Sequence, residues 1–351
     1  MMRSLSNRCG FRSDHSKLVC GVLCIALLFL IAVTARADAP ESIDECMQIE
    51  DNTKRLGCYD ELAGRKATPG EPAGAAFSGT KPESQAKFSY LERLWELDKE
   101  SRRGKFTISP HRSNYILPIT YVESPNEQPI REANPGIKLK NIEVAFQLSF
   151  KVKLWPDIFG QNMDLWAAYT QRSFWQFYNE ADSSPFRETN YEPEILLNFR
   201  TDYDLLGLKN RFINVGINHQ SNGQSEPLSR SWNRVVANFG FERGNLALIL
   251  KTWLRLPESA ENDDNPDIED YLGYGEFWTY YFWKGNRFGV MVRNNFDFSE
   301  NRGAVQFEWS FPLFERLSGY IQCFNGYGES MLDYHHNINR IGVGFIIKDW
   351  N

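Results

Sequence analysis

From about residue 111 to the end of the chain, hydrophobic and polar residues alternate with a period of two. The stretch 142–154 shows it most fully. Ile142, Val144, Phe146, Leu148, Phe150, Val152 and Leu154 fall on one face, and Glu143, Ala145, Gln147, Ser149, Lys151 and Lys153 on the other. Successive side chains of a strand point to opposite faces, so this period predicts β-structure. Phe288, Val290 and Val292 alternate against Arg293, Asn295 and Asp297, and Ile341, Val343, Phe345 and Ile347 against Gly342, Gly344 and Lys348. Twelve such segments lie near 111–124, 142–155, 161–177, 190–205, 209–222, 230–243, 246–257, 269–284, 287–299, 303–314, 317–328 and 339–350. Their lengths and the short polar breaks between them fit tilted strands crossing a bilayer. The expected fold is all-β, a twelve-stranded antiparallel transmembrane β-barrel over 105–351 with a short helical segment before it.

The N-terminal third reads differently. Arg3, Arg8, Arg12 and Lys17 precede an uncharged run from Leu18 to Val33, and Ala35-Arg36-Ala37 supplies small residues at cleavage positions. This is the pattern of a signal peptide, residues 1–37, cut after Ala37. Residues 38–66 form a small segment of helical composition bearing Cys46 and Cys58, which are expected to be bridged in an oxidising compartment. Residues 67–104 hold a linker, rich in Ala, Gly and Pro over 67–83, and a short helix over 86–104 through Leu91, Leu94 and Leu97. No second uncharged run is long enough to span a membrane, so any later crossing must be made by a barrel.

Composition agrees without deciding. Mean hydropathy is −0.47, too polar for a helical membrane protein, but in a barrel only alternate strand residues meet lipid. Without residues 1–37 the chain has 34 basic residues against 44 acidic ones, which excludes a basic nucleic-acid footprint.

The alternation also locates the chemistry. Ile213, Val215 and Ile217 form the apolar face of one strand, and the same parity reaches His219 and Ser221. On the next strand Val235, Ala237, Phe239 and Phe241 share parity with Asn233. If the hairpin turns near Glu226-Pro227, positions 219 and 233 face each other, with Cβ atoms about 5 Å apart. Three polar groups then converge on the lipid-facing side, where unpaired polarity is costly. Interfacial residues solvated by headgroups would fit the same pattern. A Ser hydroxyl with a His base and a third group holding the imidazole tautomer is also a nucleophilic constellation, and an Asn oxygen can serve as that third group. The nearest ester on such a surface belongs to a phospholipid. The G-x-S-x-G turn of soluble hydrolases is absent. Ser229 and loop carbonyls offer hard oxygen ligands of the kind Ca²⁺ takes, although DDNPD at 263–267 reads equally as an ordinary turn.

The stretches NHQSNG (218–223) and EPLSRSWNR (226–234), supported by SSPFRETNYEPE (183–194), DDNPDI (263–268) and GYGESMLDY (326–334), resemble the outer membrane phospholipase A family over roughly 105–351. The resemblance implies a twelve-stranded outer-membrane barrel that hydrolyses acyl esters of phospholipids and lysophospholipids at either glycerol position, dependent on Ca²⁺ and active as a homodimer. It implies Ser221 as nucleophile, His219 as base and Asn233 as its orienting partner. The calcium ligands it implies are Ser229, the Gln224 carbonyl, Ser183 from a second copy, and Asp264 in a site filled without that copy. Gln220 stands where the family pattern has Asp, and Gln224 where it has Arg. The alternative is a non-enzymatic outer-membrane pore or transport barrel, which needs a wide lumen; Trp166, Arg172, Arg234 and Glu242 are expected to point inward and fill it. An adhesion barrel would carry long surface loops, and the loops here are short.

The Cys46–Cys58 bridge is checked by mass spectrometry of a non-reduced digest of the mature protein, which should yield the linked peptides and an N-terminus at Asp38. Two free thiols under oxidising conditions would contradict it.

Overall fold

Hydrocarbon offers no hydrogen-bond partners, so a sheet inside it must have no edge. A computed structural model describes residues 46–51, 54–55, 58–59, 89–160 and 162–347. The chain divides into two units, 1–86 and 87–351. In the first, Cys46 and Cys58 form a disulfide, with helical residues at 46–47, 54–55 and 58–59. The expected signal peptide and the 67–83 linker lie outside the described residues.

The second unit is the barrel. Its strands are β1 (Ile108–Pro110), β2 (Tyr115–Val122), β3 (Ile142–Trp155), β4 (Met163–Trp175), β5 (Phe186–Leu205), β6 (Leu208–Ser221), β7 (Ser231–Arg243), β8 (Leu246–Leu256), β9 (Gly275–Trp283), β10 (Asn286–Asn294), β11 (Gly303–Pro312), β12 (Leu317–Gly326) and β13 (Ile338–Ile347). From β2 to β13 each strand pairs antiparallel with its neighbour in sequence, and β13 pairs with β2. The sheet is thus a closed twelve-stranded barrel, with β1 added to the same edge of β3 that β2 occupies. Three short helices accompany it: α1 (Tyr90–Trp95), α2 (Gln128–Ala133) and α3 (Ile268–Leu272).

Two expected strands differ. The segment 111–124 is broken, with β1 and β2 flanking residues 111–114. There side chains take over from the ladder: the Arg112 N–H donates to Ser149 Oγ (3.0 Å), Asn114 Nδ2 to the Ser149 carbonyl (2.9 Å), and the Arg112 guanidinium to Glu192 and Glu194. The segment 269–284 begins as a helix, because Ile268 and Leu272, four apart, both bury. Strand β9 starts only at Gly275, after Gly273 at φ 61°, where a Cβ would sit 2.5 Å from the Asn294 carbonyl oxygen. Cys323 lies half-buried in β12, between Phe307 and Ile341 on the neighbouring strands.

Burial is inverted relative to a water-soluble protein. Lys151, Glu143, Asn214 and Gln322 are fully enclosed, whereas Ile119, Leu148, Leu254 and Val343 stand exposed on the outer wall. The enclosed polar groups survive because they pair. Lys153 lies 3.2 Å from Glu96 and 3.1 Å from Asp164, and Arg187 sits between Glu143 (2.9 Å) and Asp333 (2.5 Å).

Chain segments reach into the lumen from both ends. At the short-turn end α1 enters it. Ser89 caps α1 by accepting from the Glu92 N–H (3.1 Å) and donates to Glu242 (2.5 Å), which also accepts from the Leu91 N–H (2.7 Å). Leu91 and Trp95 pack into one cluster with Trp166, Leu196 and Phe212. The helix is shorter than the expected 86–104, ending where Glu96 adopts a left-handed conformation. At the other end residues 329–334 turn inward: Arg172 donates to the Glu329 carbonyl, Arg340 pairs with Glu329, and the Met331 and Leu332 amides donate to Asn190 and Glu188. Between the two plugs remains a cavity of about 180 Å³.

Replacing Arg187 with Met strands Glu143 and Asp333 as unpaired buried charges. The variant should lose about 3–5 kcal/mol of stability, read as a lower urea midpoint for barrel unfolding in detergent micelles. An unchanged midpoint would show that this pair does not hold the plug.

Candidate active site on the outer wall

The two halves of the site sit on one hairpin. Register pairs His219 with Asn233 and Ser221 with Ser231, with Glu226-Pro227 at the middle of the connecting loop. On β6, Asn214 and Asn218 are enclosed in the lumen while Val215 and Ile217 are exposed outside. His219 and Ser221, continuing the outer parity, are half-buried at the end of the strand. Of the three expected groups the structure brings two into contact: His219 Nδ1 lies 2.9 Å from Asn233 Oδ1. Among the described residues Ser221 Oγ has no hydrogen-bond partner. Residues i and i+2 of a strand are about 6.6 Å apart, and nucleophile–base contacts commonly tighten only with substrate bound.

Glu258, absent from the sequence reading, joins the site. Asn233 Nδ2 donates to Glu258 Oε1 at 2.8 Å. A signal existed: Leu254 and Leu256 are exposed on the outer wall, Leu256 pairs with Asn233, and position 258 continues that parity past the strand end. The departure at Gln220 has a local explanation. Its side chain points into the lumen and accepts from Trp232 Nε1 (2.9 Å) and Arg234 (3.0 Å), on the opposite side of the strand from His219 and Ser221.

The 222–230 loop is held by Asn222, which is buried. Its Nδ2 donates to the Leu228 carbonyl (2.7 Å), and its Oδ1 accepts from the amides of Arg230 (3.0 Å) and Gln224 (3.3 Å). This fixes the main chain at Gln224 and Ser229 together. Ser229 Oγ donates to Asp264 Oδ2 at 2.5 Å, and Asn265 Oδ1 accepts from the Ser231 amide at 3.0 Å. Of the neighbouring acids, Asp263 is taken by Arg255 (2.5 Å) and Asp267 by the Tyr334 hydroxyl (2.5 Å). Burial, then the Asp267 carboxylate, pushes the Tyr334 phenol above its ordinary range. Ser183 stands apart, exposed in the 176–185 loop at φ 62° with its amide donating to the Glu180 carbonyl. Three of the four expected calcium ligands therefore lie on two linked loops, and the fourth lies on a loop of its own. Among the described residues no three His, Cys, Asp or Glu side chains form a metal-holding cluster. The donor set here is of another kind: one carboxylate, a hydroxyl and a main-chain carbonyl, all hard oxygens that suit Ca²⁺.

Comparison with known proteins agrees with the barrel and with an ester-hydrolysing enzyme. The phospholipase A1 family profile matches residues 91–347. Phospholipase A1 of Escherichia coli K12 is 39% identical over 247 residues, covering 70% of this chain and 82% of that protein. The outer membrane phospholipase of Salmonella typhi, solved as a dimer with bound calcium, superposes with a TM-score of 0.68 at 37% identity, covering 74% of this chain and 98% of that one. An active-site mutant of the E. coli enzyme, with alanine in place of an asparagine, superposes equally well at 36% identity, covering 74% and 99%. Matched by the family profile over most of its length and superposing on an outer membrane phospholipase of 37% identity, this chain belongs to the phospholipase A1 family, ester-hydrolysing β-barrels of the outer membrane.

Proposed function

We propose that Ser221, His219 and Asn233 carry the hydrolysis, with the 2.9 Å contact between His219 Nδ1 and Asn233 Oδ1 as the observation on which the assignment rests. Asn233 Oδ1 accepts a hydrogen bond from Nδ1–H, which keeps that proton on Nδ1 and leaves the Nε2 lone pair for Ser221. Ser221 Oγ attacks the ester carbonyl as His219 Nε2 takes its proton. The resulting imidazolium returns that proton to the leaving glycerol oxygen, and an acyl-serine remains. Water then attacks the acyl-serine, with His219 again as base, releasing a fatty acid and restoring Ser221 Oγ–H. Asn233 carries no charge, so it orients the imidazole without the electrostatic help an aspartate gives. The active-site asparagine of the E. coli structure supports this role for Asn233.

The exposed Ile217, Val235 and Leu254 beside the site offer apolar contact to an acyl chain entering from the membrane. Such an open wall favours hydrolysis at either glycerol position, and of lysophospholipids as well. Ser229 and the Gln224 carbonyl would hold calcium with Ser183 of the partner subunit completing the site in a homodimer, and Asp264 would hold calcium in a site filled without that partner; the Salmonella dimer with bound calcium supports this reading. Bound there, calcium supplies positive charge for the developing oxyanion. Ser183, exposed and without contact to the other three, is free to meet a second copy.

Ser221→Ala should lower fatty-acid release from phospholipid micelles on the order of 10⁴-fold or more, while heat-modifiable migration on gels reports an intact barrel. Full activity in that variant would remove Ser221 as the nucleophile. Specific activity should rise with protein concentration in step with cross-linkable dimer and collapse in chelator. Activity that is constant across the monomer–dimer range, or that persists in chelator, would exclude the shared calcium site.

A further inference from the structure

The imidazole of His219 can act as base only if its proton is on Nδ1, and Asn233 can enforce this only with its oxygen toward the ring. An amide has one accepting end and two donor protons, and by itself it can turn either way. With the amide nitrogen toward His219, the ring would instead be held with its proton on Nε2, the wrong tautomer for taking the Ser221 proton. An aspartate cannot make this error, because both its oxygens accept. Asparagine at this position therefore needs a second constraint.

Glu258 supplies one. Its Oε1 accepts from Asn233 Nδ2 at 2.8 Å, on the side of the amide away from His219 Nδ1. An ionised carboxylate accepts and never donates. Only the Asn233 nitrogen can face it, so only the oxygen can face His219. The residue stands two positions past Leu256, the cross-strand partner of Asn233, and is half-buried, which limits competition from water for the bond. We infer that Glu258 is a positioning residue for the hydrolysis: it fixes the Asn233 amide, and through it the reactive tautomer of His219. The inference rests on the catalytic reading of Ser221, His219 and Asn233 given above.

The logic predicts a reversal that a merely structural contact would not produce. In Glu258→Gln the new side chain can donate or accept, so Asn233 is released to turn. In Asn233→Asp two carboxylates meet with no proton between them. In the double variant the Gln amide can donate to the Asp oxygen, while the other Asp oxygen accepts from His219 Nδ1, and the relay is rebuilt with its charge moved inward by one residue.

The experiment measures kcat and KM for fatty-acid release from phosphatidylcholine micelles at saturating calcium. The full mature chain is compared as wild type, Ser221→Ala, Glu258→Gln, Asn233→Asp and the double variant, at equal folded fraction by heat-modifiable migration. Glu258→Gln should lower kcat about 10- to 100-fold, the size seen when an outer partner of a functional histidine is lost, with KM and half-saturating calcium unchanged. Asn233→Asp should fall at least as far, and adding Glu258→Gln to it should raise kcat rather than lower it further. Wild-type kcat in Glu258→Gln, or losses that multiply in the double variant, would overturn the inference. A shifted calcium requirement in Glu258→Gln would overturn it in favour of a ligand role. Full activity in Ser221→Ala would instead bring down the catalytic reading itself, so the two failures are separable.

Discussion

Every backbone N–H and C=O of the membrane-spanning region must find a partner within the protein, because lipid tails provide none. Closing β13 onto β2 answers that demand, and most other features follow from it. A closed sheet has two walls, and with lipid outside, the polar residues of each strand must turn inward. The interior then fills with charges that would be prohibitively costly alone. They are tolerated as pairs and networks, such as Arg187 with Glu143 and Asp333, or Arg112 with Glu192 and Glu194. In the largest apolar cluster Leu91 and Trp95 of α1 meet Trp166 and Phe212 from the wall.

The same geometry fills the lumen wall with paired charges and leaves the outer wall to the proposed site, at the level where strand ends meet headgroups. His219, Ser221 and Asn233 occupy the outer parity of β6 and β7 at that level, beside Ile217 and Leu254. Their polarity is compensated locally by hydrogen bonds, His219 to Asn233 and Asn233 to Glu258, so the cost of placing them there is reduced.

The loops above the site are tied to the lumen plug. Asp333 bonds Arg187 inside the barrel, and the adjacent Tyr334 donates to Asp267 of the segment that also carries Asp264 and Asn265. Asp264 and Asn265 reach across to Ser229 and the Ser231 amide, at the start of β7. A continuous run of hydrogen bonds and chain segments thus connects this end of the lumen with the loop that carries Ser229. Rigid support of this kind is what a site built from strand ends and loops needs to hold its geometry.

The period-two alternation showed an all-β chain of twelve segments and put His219, Ser221 and Asn233 on one face, because parity along a strand is a local property that survives in any register; segment length, the signal-peptide pattern and the family resemblance made those segments a barrel. The inward direction of Trp166, Arg234 and Glu242 was legible for the same reason. What parity cannot say is which residue lies beyond a strand end, and Glu258 was missed there. It reaches Asn233 only because β8 pairs with β7 in one particular register. The break at 111–114 was hidden because lumen contacts with Ser149, Glu192 and Glu194, distant in sequence, displaced the ladder. The helix at Ile268–Leu272 was hidden because burial in the apolar cluster with Trp253 and Tyr280 favoured a spacing of four over one of two. Local alternation along the chain set the strand segments and the face of the site; the pairing of distant strands, which no local pattern encodes, decided how the barrel closes and what holds Asn233.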